Sequence, residues 1–248
     1  MGRHIPSFMP STLGFVMPPQ EPSVIFDQKH ASEYDKRFAK LAAMRDALHL
    51  LTGAVFADLP TEARILCVGA GTGSELIYLA QKFPQWRFTA VEPSVPMLDV
   101  CRRRTEECGV ASRCVFHEGY VDSLPPSEPF DAATSLLVSH FILDLDVRAQ
   151  FFRSIAERLR PGGYLVSADL ASDPASATYQ SLLEVWLRLM RETDATPEKL
   201  EALRTAYARD VAFLPLDRVR AIIASGGFAE PVQFLQTGLI HAWYAKRA

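Results

Sequence analysis

The 248-residue sequence has few cysteines, no long apolar run and no excess of basic residues. Its four cysteines form no CxxC pair, which argues against a structural zinc site or a disulfide framework. No stretch of about 18 apolar residues exists, so no transmembrane helix is expected. A formal net charge of −3 offers no basic surface to nucleic acid. We therefore expect a cytoplasmic protein with reduced thiols that uses no metal and has neither a membrane nor a nucleic acid as partner.

Three regions of the chain differ in their sequence pattern. Prolines interrupt residues 1–24, which predicts a flexible extension rather than a signal peptide. Apolar residues then recur at helical spacing as far as Pro60, which predicts a helical cover over residues 25–62. Over residues 63–248, strand and helix patterns alternate with short connections, which favours a parallel sheet with helices on both faces. Within that domain, residues 173–207 are mostly helical and too long for a simple crossover, so we predict a helical insertion.

The last part of the sequence predicts a change in strand direction. A helix pattern over Leu216–Ser225 is followed by two strand patterns, at Phe234–Leu235 and Leu239–Ala245, which a short QTG turn joins. A hairpin of this kind would place an antiparallel strand in the otherwise parallel sheet.

A glycine-rich loop follows the first strand pattern, Ile65–Val68, and reads GAGTG from Gly69 to Gly73. Glycines at a strand end let a ligand lie against the backbone, and the next helix, expected to have Ser74 as its N-cap, offers free N–H groups. A dinucleotide-binding loop has the spacing G-x-G-x-x-G, but Ser74 stands where its third glycine would be. The loop alone leaves open both NAD and other adenosine-containing cofactors.

Glu92 ends the second strand pattern, 19 residues after Gly73. A carboxylate at this position can accept hydrogen bonds from both hydroxyls of a ribose. The alternative is a solvated strand-end residue, since exposed carboxylates are common. In combination with the glycines, Glu92 favours a ligand that contains adenosine.

Four segments resemble, in their order and spacing, the class I S-adenosylmethionine-dependent methyltransferases: ILCVGAGTGSELIYLA, FTAVEPSVPMLDVCRRR, FHEGYVDSLPPSEPFDAATSLLVSHFI and LRPGGYLVSADL. The likeness covers residues 64–168, and the segment LDRVRAIIASGGFAEPVQFLQTGLIHAWYAKR resembles the closing helix and hairpin of that family. It implies an α/β fold, a Rossmann-like doubly wound sheet of seven strands that is mostly parallel with an antiparallel last strand. It also implies S-adenosyl-L-methionine as cofactor, S-adenosyl-L-homocysteine as product and a small-molecule methyl acceptor.

The resemblance also implies cofactor contacts at individual positions. The glycine loop would lie under the methionine part, Glu92 would hold the ribose, and other residues would surround the adenine and the sulfonium. The implied positions are Gly69, Ala70, Gly71, Thr72 and Gly73 for the methionine part, Pro93, Met97, Gly119, Tyr120 and Val121 for the adenine, and Leu136 and Leu137 for the sulfonium. Family members often carry Asp in place of Tyr120, so the adenine amino group would be met differently here, by Tyr120 itself or by Asp122.

The segment FDQKHASEYDKRF near the start resembles many small-molecule methyltransferases of this class, and also the carboxy-S-adenosylmethionine synthases of tRNA modification. By that likeness Tyr34 would reach the methionine carboxylate, unless it only packs its helix, as aromatic residues at helical spacing usually do. The second likeness keeps open an enzyme that modifies the cofactor itself, for which Arg209 is the candidate cation.

The sequence contains little that identifies the chemistry beyond the cofactor. Methyl transfer from a sulfonium is an in-line displacement, which needs alignment and exclusion of water more than a base. His140, after the fourth strand pattern, is the candidate base, although a lone histidine is more often structural. The insertion carries Trp186, Met190, Tyr207 and Arg209, which would cover a small substrate or else pack on the body or on a second copy in a homodimer. An NAD-dependent oxidoreductase and a non-catalytic cofactor-binding module are the remaining alternatives.

Overall fold

The computed structural model describes residues 39–190 and 196–248, which contain a single seven-stranded sheet. The strands are β1 (Arg64–Val68), β2 (Arg87–Glu92), β3 (Cys114–Glu118), β4 (Phe130–Leu136), β5 (Leu159–Leu170), β6 (Val232–Thr237) and β7 (Ile240–Lys246). Their order across the sheet is β3-β2-β1-β4-β5-β7-β6. Neighbours among β1 to β5 are parallel, and β7 runs antiparallel to both β5 and β6. The predicted fold class, mostly parallel with an antiparallel last strand, is confirmed.

Seven α-helices accompany these strands in the described residues. They are α1 (Ala42–Val55), α2 (Ser74–Lys82), α3 (Val95–Glu107), α4 (Leu145–Arg158), α5 (Ala177–Met190), α6 (Pro197–Asp210) and α7 (Leu216–Ser225). Thr196 caps α6, since its side chain accepts from the N–H of Lys199 and Pro197 is the first helical residue. The predicted cap of α2 is wrong, because Ser74 is already helical and Gly73 occupies the N-cap in a left-handed conformation.

Apolar side chains alternate between the two faces of the sheet, which explains why helices cover both. On β1, Leu66 and Val68 pack with Phe152 of α4 and Val219 of α7. Ile65 and Cys67 of the same strand pack on the other face, in a cluster that contains Phe56, Leu76, Leu79 and Leu98. Because successive strand residues point to opposite faces, a run of consecutive apolar residues such as ILCV suits a strand that is buried on both sides.

The predicted subdivisions of the chain map onto these elements in part. The extension over residues 1–24 and the start of the cover over 25–62 lie outside the described residues, whereas α1 falls inside the cover. The insertion predicted over 173–207 contains α5 and most of α6, which continues to Asp210. Both helices join a third apolar cluster, which also includes Leu41 next to α1 and Ile240 of β7. This cluster lies beside the ends of the parallel strands, where the candidate site is found.

Candidate functional site

A cavity opens at the carboxyl ends of β1 and β4, between the glycine loop and α1. It is lined by Leu41, Met44, Arg45, Leu48, His49, Gly69, Ala70, Gly71, Thr72, Ser74, Glu75, Leu136, Leu137 and Ile240. The crevice at the carboxyl ends of the strands is where open α/β sheets bind ligands. Of the predicted cofactor positions, the structure places Gly69, Ala70, Gly71, Thr72, Leu136 and Leu137 on its wall.

The three glycines of the loop face different surroundings. All have positive φ, at 70° for Gly69, 54° for Gly71 and 80° for Gly73. A Cβ on Gly69 would lie 2.4 Å from Val138 Cγ2, and one on Gly73 would lie 2.5 Å from the Sγ of Cys101. Among the described residues, a Cβ on Gly71 would contact Met97 Cε at 3.5 Å, an ordinary van der Waals distance. Close packing of the protein on itself therefore requires Gly69 and Gly73, whereas the described residues leave room for a Cβ at Gly71.

Glu92 is fixed beside Gly71 at the end of β2. One carboxylate oxygen accepts a hydrogen bond from the Gly71 N–H and the other from the Ser94 N–H, both at 2.9 Å. The residue is only 7% exposed, which excludes a solvated strand-end role. Burial raises the pKa of Glu92, and the two backbone donors oppose that rise. Each carboxylate oxygen has a second lone pair, so the pair can still accept from hydroxyl groups of a ligand.

The predicted adenine positions are spread over a wider surface. Met97 is buried next to Gly71, and Pro93 is exposed at the surface. Tyr120 is 45% exposed, and its pKa is raised by partial burial and by the charges of Glu92 and Asp122. Tyr120 thus lies within electrostatic range of the Glu92 carboxylate, and its contact with adenine stays a prediction.

Two more positions complete the predicted adenine edge. Gly119 has φ of 144° and donates its N–H to the Glu92 carbonyl, which ties the loop after β3 to the end of β2. Val121 packs its side chain into the apolar cluster under α4, so only its backbone is available to a ligand.

Leu137 combines a position on the cavity with a strained backbone. It is the one non-glycine among the described residues with positive φ, at 61°. Its N–H donates to the carbonyl of Ala168 at 2.7 Å, which holds the turn after β4 in place. A leucine in this conformation stores roughly 1–3 kcal/mol, and such strain concentrates at ligand sites.

His140 belongs to a buried polar network. The residue is 2% exposed, and its Nδ1 lies 3.2 Å from an oxygen of Asp169, which also accepts from the His140 backbone N–H. Asp169 accepts from Ser139 as well and forms an ion pair with Arg148 at 3.3 Å. The imidazole is not among the residues that line the cavity. The network joins the ends of β4 and β5 to α4, so a role as base would need this ring to be reached from the cavity.

The residues predicted on the insertion separate into two groups. Trp186 and Met190 are buried in the third apolar cluster, where the indole meets the ring of Tyr207 edge-on at a centroid distance of 6.3 Å. Arg209 is exposed and forms a bidentate pair with Asp210. The structure brings the first three together beside the cavity and leaves Arg209 apart. Tyr34 lies outside the described residues.

Three cavity residues, Glu75, His49 and Arg45, were missed by the sequence reasoning. Burial raises the pKa of Glu75 to about 7, and burial together with Arg45 lowers the pKa of His49 to about 4. His49 and Arg45 project from α1, which precedes the glycine loop by many residues in the sequence. No local sequence pattern therefore indicates that these two side chains reach the cavity. Glu75 lies two residues after Gly73, the last residue of the glycine loop. Its acidic side chain on an otherwise apolar helix face is the sequence feature that could have identified it.

Two further observations concern the chemistry of the described part of the chain. Among residues 39–190 and 196–248, no three His, Cys, Asp or Glu side chains are grouped so that they could hold a metal ion. None of the helices found in those residues has the length and apolar character needed to cross a membrane.

Comparisons with known proteins agree with this geometry. Residues 65–163 match the family model described as a methyltransferase domain. Over 107 residues the chain is 35% identical to the fatty-acid O-methyltransferase of Mycolicibacterium smegmatis, an alignment that covers 43% of this chain and 36% of that protein. Over 107 residues it is 31% identical to the erythromycin 3''-O-methyltransferase of Saccharopolyspora erythraea, which covers 43% and 34%. The alignments thus span about a third of the length of these curated relatives.

A solved structure extends the likeness to most of the chain. An O-methyltransferase family protein from Burkholderia thailandensis superposes with a TM-score of 0.65 at 14% identity, over 90% of this chain and 60% of that one. At this identity the likeness concerns the fold. The matched family model shows that the chain contains a methyltransferase domain, and the strand order gives that domain a Rossmann-like fold.

Proposed function

We propose that the protein uses S-adenosyl-L-methionine to methylate an oxygen atom of a small apolar molecule. The observation that carries the cofactor assignment is the buried Glu92 carboxylate, anchored on the N–H of Gly71, which lines the cavity. Two relatives are O-methyltransferases, which supports oxygen as the accepting atom.

The cavity residues fit the proposed cofactor in shape and chemistry. Gly71 lines the cavity, so a Cβ there would take up space beside Met97 that a ligand would fill instead. Glu92 would accept the ribose hydroxyls, Met97 would contact the adenine, and Leu136 and Leu137 would lie near the reacting group. When bound, the cofactor supplies a methyl group that its sulfonium already activates.

The chain's own residues would then align the acceptor and exclude water. Met44 and Leu48 from α1, Leu41 just before it and Ile240 from β7 give the cavity an apolar side. A displacement reaction gains from a dry site in which the nucleophile is held in line with the methyl carbon. An acceptor with an apolar body suits these walls.

The alternatives have weaker support from the geometry. A carboxylate added to the cofactor would need a cation in the cavity, but Arg209 is exposed and pairs with Asp210, which leaves Arg45 as the cavity's one arginine among the described residues. An NAD site would need a third glycine, where Ser74 stands. A binding module without turnover would retain the cofactor and transfer nothing.

The test measures thermal unfolding of the full chain with S-adenosylmethionine, S-adenosylhomocysteine and NADH added separately. A ligand that binds only the folded state raises the midpoint by mass action. We expect a shift with the first two ligands and none with NADH, and a shift with NADH alone would overturn the proposal. Apolar alcohols and carboxylic acids are then offered with the labelled cofactor. Release of S-adenosylhomocysteine with any of them separates an enzyme from a binding module.

A further inference from the structure

Glu75 is a buried carboxylate that faces the cavity, and the described residues provide no partner side chain for it. It stands in the first turn of α2, is 8% exposed, and lines the cavity with the glycine loop and Ser74. Within residues 39–190 and 196–248, no other side chain gives the Glu75 carboxylate a hydrogen bond or an ion pair. The backbone N–H of Glu75 itself donates to this carboxylate. Glu92, the other buried acid of this region, differs because two backbone N–H groups hold it.

Among the described residues, Arg104 is the one cation that acts on Glu75. The titratable and charged groups of the described part of the chain that face Glu75, or share the cavity with it, are Cys67 of β1, Glu92 of β2, Cys101 and Arg104 of α3, and Arg45 and His49 of α1. Arg104 alone among them lowers the pKa of Glu75, and its guanidinium is bonded to Thr72 and Ser74. Burial raises the pKa of both thiols, and His49 is neutral with a pKa of about 4.

A helix-capping role does not account for this position. An acidic residue in the first turn stabilises a helix through the macrodipole, but this interaction does not require burial. Burial of an unpaired carboxylate is unfavourable, and a buried ionisable group that faces a cavity is a candidate for ligand binding.

We propose that Glu75 receives the α-ammonium group of the cofactor in this chain, so that cofactor binding drives a proton off its carboxyl group. The inference rests on the proposed function, since S-adenosylmethionine is the ligand assumed. On binding, the Glu75 carboxyl loses its proton to solvent, and the resulting carboxylate pairs with the ammonium. Glu75 is thus a binding residue that selects for the charged amino-acid end of the cofactor.

Calorimetric titration in buffers of different ionisation enthalpy measures the protons released on binding. Burial holds the pKa of Glu75 at about 7, so about half of the free protein carries the proton at pH 7.0, and the wild type should release about 0.5 proton. For the same reason the Kd for S-adenosylmethionine should fall about 15-fold from pH 5.5 to pH 7.0. S-adenosylhomocysteine keeps the ammonium and should behave alike, whereas 5′-methylthioadenosine lacks it and should release no proton from this group.

The matched variants are Glu75→Gln, which keeps the shape of the protonated acid, and Glu106→Gln, an exposed position on α3. We expect Glu75→Gln to abolish the release and the pH dependence, while Glu106→Gln keeps both. Equal proton release by Glu75→Gln and wild type would overturn the inference, as would release with S-adenosylmethionine but not with S-adenosylhomocysteine, which would point to the sulfonium. Failure of the wild type to bind either compound would instead overturn the proposed function.

Discussion

Alanine at Gly71 and at Gly73 should separate cofactor binding from stability. Both positions have positive φ, at 54° and 80°, so a Cβ costs about 1–2 kcal/mol in either place. At Gly73 the new methyl would also lie 2.5 Å from the Sγ of buried Cys101, and overpacking adds about 1–3 kcal/mol. At Gly71 the nearest atom is Met97 Cε at 3.5 Å, an ordinary contact. We expect Gly73→Ala to lose about 2–5 kcal/mol of unfolding free energy and Gly71→Ala only about 1–2.

Binding should show the opposite ranking. The methyl of Gly71→Ala would project from the loop that lines the cavity, where we propose that the cofactor binds, so the Kd for S-adenosylhomocysteine should rise at least about tenfold, or about 1.4 kcal/mol. Denaturant titration gives the stabilities, and isothermal calorimetry gives the affinities. Gly162→Ala is the control for backbone strain alone, since its φ is 72° and a Cβ there would have no neighbour within 4 Å. If Gly73→Ala were no less stable than Gly162→Ala, or Gly71→Ala bound as tightly as wild type, this reasoning would be refuted.

Three further changes test other parts of the structure. Asp169→Asn should cost about 3–5 kcal/mol in denaturant titration, because Arg148 loses its buried partner. Burial alone raises the pKa of Asp169, but Arg148 and the hydrogen-bond donors hold it below its ordinary value, so the wild type should lose stability as the pH falls below about 4, and the variant should lose that dependence. Glu92→Gln should weaken S-adenosylhomocysteine binding at least about tenfold by calorimetry, since an amide cannot accept from both backbone donors. Trp186→Ala should lower the unfolding free energy by about 3–5 kcal/mol and leave cofactor affinity nearly unchanged.

Each of these expectations has a contrary result. An Asp169→Asn variant that is as stable as wild type at pH 7 would mean that the pair with Arg148 contributes nothing. Unchanged binding by Glu92→Gln would remove this residue from the cofactor site, and a large loss of affinity in Trp186→Ala would place the indole in the site after all.

The sheet was predictable because its strands carry local signals. Short apolar runs such as ILCV and FTAV end at glycine or a carboxylate. The helices between them have clear start signals, as α3 has in its N-cap Ser94 and in Pro96 of its first turn. Element boundaries were less predictable, since the first and last residues of a strand depend on pairing with neighbours. β5 begins at Leu159, before the apolar run that starts at Tyr164, because its start pairs with Phe130 across an irregularity in register.

The candidate site was predictable only as far as residues near one another in sequence define it. The glycine loop directly follows β1, and Glu92 is the last residue of β2. The parallel pairing of these two strands is therefore sufficient to bring the loop and the carboxylate together. The side chains of α1 reach the cavity through tertiary packing. The sequence around Arg45 and His49 contains no pattern that predicts this packing. For His140 the sequence favoured a catalytic role because the residue follows β4. Its hydrogen-bond partner Asp169 lies 29 residues away, and the sequence did not predict this contact.

The position of β7 has a consequence for how the sheet is completed. β7 is the last strand in sequence but the last but one across the sheet, where it pairs with β5 on one side and β6 on the other. Until residues 240–246 are in place, β6 has no neighbour to bond to and β5 presents an open edge of N–H and C=O groups. Open edges of this kind recruit strands from other chains. A folding intermediate that lacks β7 would therefore be the form of this protein most prone to aggregate, and substitutions that slow the docking of β7 would lower its yield of native protein without touching the cavity.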